Sequence, residues 1–282
     1  MKKVVMLFVI ISLLSGCFPS QEEKQQKFIR AIEQGNVEAV REYMTKEKNI
    51  NFKIKHETPL DVAMRTGQRD IAAQLLKAGG KSAVMPLPPL HFALASSLAQ
   101  GNEENIEIVK QIVNEQTVRE KDKQHNTPLH IAAGSGNLAL VQLVCQYDVD
   151  VNAINKHGET PLLLAVQAGN IDVVRFLYEH GANIEIANQV GETPLYKAVE
   201  RNFIDVATYL LEKKAKVDAQ TTIGKTPLMV AAEYGYDQLV TLLLRYGADV
   251  QVKDKTGNTA LSLAQYWKHE NIIKQLKEKG AK

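Results

Sequence analysis

Apolar and polar residues alternate along the chain on a long period, and Thr160 to Glu192 shows one period in full. Leu162, Ala165 and Val166 fall at helical spacing and predict a short first helix. Thr160 is a good N-cap. Pro161 follows at the first helical position, where its missing N–H costs nothing. Gly169 sits where a helix C-terminus needs positive φ. Val173, Val174, Phe176 and Leu177 predict a second helix from about Ile171, and Gly181 stops it. Asn183 to Glu192, with Gly191, reads as an extended hairpin leading into the next Thr-Pro. Such a helix pair is too short to bury its apolar face alone, so neighbouring units must stack.

The period is regular. Thr-Pro-Leu recurs at Thr58, Thr127, Thr160, Thr193 and Thr226, and Thr259-Ala260-Leu261 is a weaker copy. From Thr127 the spacing is 33 residues each time. The 69 residues from Thr58 to Thr127 hold two units and a small insertion, with Pro88-Pro89-Leu90-His91 as the missing start. An earlier unit starts at Gln26 and carries Ala31-Ile32-Glu33-Gln34-Gly35. Eight units therefore start near residues 26, 58, 88, 127, 160, 193, 226 and 259.

These residues resemble the ankyrin repeat, whose unit carries Thr-Pro-Leu-His, a central Gly and a Gly-Ala-Asp-Val-Asn ending. Gly247-Ala248-Asp249-Val250 and Gly181-Ala182-Asn183-Ile184 match that ending. The resemblance implies an all-α repeat solenoid of helix-turn-helix units joined by β-hairpin loops. Unit one lacks Thr-Pro and reads as an N-terminal cap. Unit eight has Ala260 for Pro, Lys268 for the central Gly and a polar end, as a C-terminal cap requires. Gly79 to Pro89 is rich in Gly and Pro, and about six extra residues around Ser97 to Asn105 enlarge unit three. A bend or a protruding first-helix turn is expected there.

The N-terminus follows another pattern. Met1-Lys2-Lys3 is cationic, and Val4 to Leu14 is apolar except for Ser12. Small residues follow, as in a secretory signal, and the stretch is short for a bilayer span. Leu14-Ser15-Gly16-Cys17 resembles the bacterial lipobox. That resemblance implies acylation of Cys17, cleavage before it and a membrane attachment through lipid. Residues 1–16 then form the signal, 17–25 a lipidated tether and 26–282 the repeat domain. A tether from Phe18 to Gln26 reaches about 30 Å at most. Phe18 stands where Gram-negative lipoproteins retained in the inner membrane commonly have Asp. The expected location is therefore periplasmic, on the inner leaflet of the outer membrane, or the cell surface in a Gram-positive source.

Composition adds little to the fold and more to the partner. The chain has 34 Lys and Arg against 32 Asp and Glu. Cleavage removes Lys2 and Lys3 and no acid, leaving 32 of each sign. A balanced chain makes no electrostatic case for nucleic acid. Two cysteines cannot make a disulfide scaffold.

Candidate chemistry is sparse. Ala219 to Thr226 approaches the phosphate-binding G-x4-G-K-[ST], but Pro227 removes an N–H and Gly224 is the hairpin glycine echoed at Gly158, Gly191 and Gly257. No nucleotide is expected. His91, His125, His130 and His157 invite a metal reading, yet His91 and His130 hold the motif position that the family uses for hydrogen bonds between units. Cys145 reads as a packing residue, with a reactive thiol as the minor alternative. No catalytic motif, cofactor or metal site emerges, and an enzyme is not expected.

Ankyrin-type arrays use hairpin tips and the exposed end of first helices to bind protein. By register the tips include Lys156, His157, Gln189, Thr222 and Ile223, and the helix ends include Glu200, Arg201, Glu233, Tyr234, Tyr266 and Trp267. Only 6% of the chain is aromatic, so Tyr196, Tyr234, Tyr236, Tyr266 and the sole Trp gathering in units six to eight mark the expected partner side. Trp267 has a second reading as a lid on the last unit's core, and Tyr196 as a packing residue in place of the motif His. Ankyrin-repeat lipoproteins similar to this chain occur beside secreted lipase effectors of type VI systems. The resemblance implies an immunity protein that neutralises a phospholipase or lipase toxin; the alternative is an envelope scaffold that assembles endogenous proteins.

Overall fold

The computed structural model describes residues 19–84, 87–100 and 106–282. The expected signal and the lipidation cysteine Cys17 lie outside the described residues. Among the described residues, helices follow one another in pairs and no strand forms. The pairs are α1 (Gln21–Glu33) with α2 (Val37–Lys46), α3 (Pro59–Arg65) with α4 (Arg69–Lys77), and α5 (Pro89–Gln100) with α6 (Ile106–Ile112). Then come α7 (Pro128–Gly134) with α8 (Leu138–Val144), α9 (Pro161–Gln167) with α10 (Ile171–Glu179), and α11 (Pro194–Glu200) with α12 (Ile204–Glu212). The last are α13 (Pro227–Tyr234) with α14 (Asp237–Arg245), and α15 (Ala260–Tyr266) with α16 (Glu270–Glu278).

The chain divides into two compact units, and the division runs through α5. The first unit holds the described residues up to Ala93 with 106–112. The second holds 94–100 and Val113–Lys282.

In the first unit α1 packs on α2 and α3, α3 on α4, and α4 on α6. Helix α1 starts at Gln21, inside the segment expected to be a tether. Ser20 and Glu23 form a reciprocal cap, with the Glu23 amide donating to Ser20 Oγ at 3.1 Å and the Ser20 amide to Glu23 Oε2 at 2.8 Å. That box nucleates the helix early, and the apolar face of α1 carries it: Phe28 is buried and stacks on Tyr43 with centroids 4.0 Å apart. Part of the expected unit-three insertion, Ser97 to Gln100, is helical; α5 runs 12 residues where α3 runs 7.

Unit two of the array places Asp61 at the motif position that His91 and His130 hold in units three and four. Asp61 is buried and ties down the Gly- and Pro-rich segment that follows α4. Its Oδ2 accepts from the Thr58 and Ala83 amides, each at 2.9 Å, and its Oδ1 accepts from the Ser82 hydroxyl. Burial alone would raise this carboxyl, but those hydrogen bonds hold it below the ordinary carboxylate range.

In the second unit the first helices α7, α9, α11, α13 and α15 pack in sequence, and so do the second helices α8 to α16. Helices of 7 to 9 residues are marginal alone. Packing supplies what length does not: Leu162, Ala165, Val166, Val173, Val174 and Leu177 are all fully buried. Each such Leu or Val contributes about 1.5–3 kcal/mol on burial. The Thr-Pro starts form as expected. Thr160, Thr193 and Thr226 Oγ1 accept from the amides three residues on, at 3.2, 3.2 and 3.3 Å.

Two contacts clip neighbouring repeats together. His130 is fully buried and its Nδ1 accepts from the Thr127 amide at 3.1 Å. The other ring nitrogen then carries the proton and donates to the Glu159 carbonyl of the next repeat at 3.0 Å. The second clip is at the central glycine. Gly169 has φ +71°, and a Cβ there would sit 2.7 Å from the Phe203 ring of the following repeat. Gly235 meets His269 in the same way, at 2.7 Å. At these two positions the close approach of the next repeat needs a residue without a side chain.

The expected β-hairpin loops are built from turns. Only an isolated antiparallel bridge, Ile54 with Glu57, is strand-like among the described residues. The reason is that the turn is closed by side chains: Asn155 Oδ1 accepts the His157 and Glu159 amides at 2.8 and 3.0 Å, leaving few backbone rungs for a ladder.

Gly169→Ala is expected to lower stability by about 2–4 kcal/mol, from left-handed strain plus the Phe203 clash, measured by urea unfolding. Lys214 adopts φ +67° at the helix end where Gly181 and Gly247 sit. Lys214→Gly should raise stability by about 0.5–1 kcal/mol in the same assay.

Burial lowers the His130 imidazole below its ordinary 6.5, outweighing the Glu159 hydrogen bond and the nearby Asp122 and Glu159 charges that oppose it. The unfolded chain therefore takes the proton first, and stability falls as pH drops through that ordinary value. The urea midpoint should decline from about pH 7.5 to about pH 5.5. His130→Ala should shrink that decline while losing about 2–4 kcal/mol at neutral pH, because the Thr127 amide and Glu159 carbonyl lose their partner.

Candidate protein-binding surface

Each hairpin of the second unit is pinned at its base. The residue five before each helix-capping Thr is Asp122, Asn155, Asn188, Thr221 or Asp254. Its side chain accepts amides from its own turn, as Asp122 Oδ1 does from Gln124 and Asn126 at 2.8 Å each. Asp254 Oδ1 does so from Thr256 and Asn258 at 2.9 Å each. The turn then needs a left-handed residue two before the Thr. Gly158, Gly191, Gly224 and Gly257 supply it, and His125 takes the same position at φ +62°.

The pinned tips join edge to edge. The Lys156 amide donates to Gln124 O, Gln189 to His157 O, Thr222 to Val190 O and Lys255 to Ile223 O, all at 2.9–3.0 Å. Tips from successive repeats therefore line up in one row. Side chains then tie the row to the first helices across eight residues. Glu159 Oε1 accepts from Gln167 Nε2 at 3.0 Å, and Lys225 pairs with Glu233 at 2.6 Å. Lys197 sits between Glu192 and Glu200, at 2.8 and 2.9 Å. Hairpin tips and helix ends thus share one face.

On that face Lys156, His157, Gln189, Thr222, Ile223 and Arg201 are exposed, as their register implied. Glu200 and Glu233 are only partly exposed and are held in the ion pairs above. Tyr234 is 57% exposed and stacks on Tyr236, with centroids 5.7 Å apart. Tyr266 and Trp267 are 76% and 53% exposed and meet edge to face at 5.2 Å. Trp267 is the C-cap residue of α15, half of it in solvent, above the buried Leu261, Leu263 and Ala264 of the same helix. Tyr196, by contrast, leaves the expected surface. At 7% exposure it fills the motif His position as a packing residue. Burial, then Glu200, Glu192 and Glu233, push its phenol above the ordinary range.

Burial pushes the Cys145 thiol up to about 11, as suits a packing residue. In the phosphate-loop look-alike, the Gly224 amide donates to Thr221 O at 2.8 Å and the Lys225 amide to Thr221 Oγ1 at 3.1 Å. Its ammonium is held by Glu233, so neither amides nor cation face a phosphate. No group of three His, Cys, Asp or Glu among the described residues is placed to hold a metal. None of the described helices is long and apolar enough to cross a membrane.

Sequence reasoning missed the pinning column and the ladder of paired charges. Its signal was present: an Asp, Asn or Thr five residues before each capping Thr, and Glu or Lys eight residues before a polar partner.

Comparison with known proteins agrees with this geometry. A family model described as ankyrin repeats in three copies matches residues 90–188 and 215–282, and a model of the single ankyrin repeat matches 190–222. A search of curated proteins finds no match. Repeat units that stack through buried Thr-Pro helices, and present a continuous row of tips and helix ends, make a protein–protein interaction module. The chain belongs to the ankyrin-repeat family.

Proposed function

We propose that this chain is a lipid-anchored periplasmic immunity protein that binds and neutralises a secreted phospholipase or lipase effector of a type VI system. One observation carries the binding half of this reading. Tyr234, Tyr266 and Trp267 stand exposed together with Ile223 on a face whose backbone is pinned by side-chain hydrogen bonds. Exposed aromatics on a rigid frame are the usual anchors of tight interfaces, because little freedom is lost when they dock. The anchoring half is supported by Leu14-Ser15-Gly16-Cys17, whose resemblance to the bacterial lipobox implies acyl chains at Cys17. Two or more acyl chains hold a protein stably at a bilayer, where a lipase acts.

The test is a strain lacking the gene, challenged with wild-type siblings. Loss of survival, restored by the wild-type gene and not by Cys17→Ala, is the expected result. Unchanged survival would remove the immunity reading and leave an envelope scaffold. With the effector in hand, Tyr234→Ala and Trp267→Ala should each weaken binding by about 2 kcal/mol or more while unfolding midpoints stay put. An unaltered dissociation constant would reject the aromatic anchors.

A further inference from the structure

The row of hairpin tips and helix ends is not electrically balanced, although the chain minus its first 16 residues is. Hairpins 121–126, 154–159, 187–192, 220–225 and 253–258, with helix ends 200–201, 233–234 and 266–268 and the ladder residue Lys197, carry nine basic residues against six acidic ones. Every one of those carboxylates is tied within the chain. Asp122 and Asp254 accept the amides of their own turns. Glu159 accepts from Asn155 and Gln167, at 3.0 Å each. Glu192 and Glu200 share Lys197, and Glu233 holds Lys225.

The cations divide differently. Lys197 and Lys225 are taken by that ladder. Lys121, Lys123, Lys156, Lys253, Lys255, Arg201 and Lys268 are exposed and form no ion pair among the described residues. The free charge of the face is therefore wholly positive. Part of it lies beside the aromatics: Arg201 takes the register position of Tyr234 and Trp267, and Lys268 follows Trp267 directly.

We propose that this face of the second unit docks an acidic protein surface, with Tyr234, Tyr266 and Trp267 entering its apolar centre and the free lysines and Arg201 meeting carboxylates at its rim. The proposal rests on reading this face as the partner-binding side and names the chemistry of the partner. The face combines exposed aromatics at its C-terminal end with free positive charge along its hairpin tips, the pairing of apolar anchors with steering charge that interfaces use. An anionic membrane is the poorer fit. Glu192, Glu200 and Glu233 stand on the same face, and headgroups would press negative charge onto them, whereas a protein can match fixed pairs one by one.

The full chain, purified in mild detergent, is titrated with a fluorescent random copolymer of Glu and Tyr. Binding should weaken steeply as salt rises toward about 0.3 M. The triple variant Lys156→Glu, Lys255→Glu, Lys268→Glu should lose about tenfold or more in affinity. Lys274→Glu, Lys277→Glu, Lys279→Glu, at and after α16, is the charge-matched control and should keep the wild-type constant. Circular dichroism melts verify folding, and if the triple variant unfolds, the exposed pair Lys156→Glu, Lys255→Glu replaces it. Equal binding of a Lys and Tyr copolymer, or an unchanged constant in the triple variant, overturns the proposal. Tighter binding to phosphatidylglycerol vesicles, abolished by the same substitutions, overturns it in favour of a membrane face. The sibling challenge separates the two readings. A triple variant that protects cells as well as wild type defeats the acidic partner and leaves immunity standing. A gene deletion without effect defeats immunity and leaves the copolymer result to decide this proposal.

Discussion

Most of this structure depends on one constraint: a helix pair of 7 to 9 residues per helix, as throughout the repeats from Pro128 on, cannot bury its own apolar side. Burial is completed by the next repeat, so the contact between repeats is the unit of stability. The chain meets that constraint with a few recurring devices. His130 bonds its own helix start through one ring nitrogen and the next repeat through the other. Gly169 and Gly235 open room for the Phe203 and His269 rings. Asn152 repeats the idea near the second helices, donating to the Gly181 carbonyl at 3.0 Å and accepting the Asn183 amide at 2.8 Å.

The same devices create the binding face. A hairpin held by Asn155 or Asp254 has lost its freedom before any partner arrives, so docking orders little further. Stacking then puts equivalent positions of successive repeats side by side. A residue at one register becomes a column, and the columns carry different properties. The hairpin bases hold polar side chains turned inward, the ladder from Glu159 to Glu233 holds satisfied charge, and the edge at Tyr234, Tyr266 and Trp267 holds exposed aromatic surface. Satisfied charges on a wet surface add little stability. Their effect here is to leave the positive charges as the free ones.

Much of the fold was legible because repetition amplifies weak signals. Thr160 and Pro161 alone predict a helix start with modest force; four copies spaced 33 residues apart predict an array. The exposed helix-end residues were legible for the same reason, since register transfers from one unit to the next. What escaped was set by contacts across repeats or by local competition. Tyr196 reads in sequence either as a surface aromatic beside Tyr234 or as a packing residue, and its burial at the motif position decides for packing. The tether read from Phe18 to Gln26 is shortened by a helix start at Gln21, where a Ser and Glu box outweighs a polar composition. The hairpins lack strands because Asn and Asp side chains take the amides that a ladder would need.

By itself, the sequence determined the repeat, its period, its helix starts and the positions that must be apolar, since these follow from local propensity and from a pattern with one solution. Only the tertiary structure decided which charges are free. Lys225 and Lys255 both belong to hairpins, but Glu233 reaches the first at 2.6 Å and no carboxylate among the described residues pairs with the second. The physical reason is that pairing depends on distances of a few ångströms between residues three to eight positions apart. Those distances exist only once the hairpin has folded against the first helix that follows it.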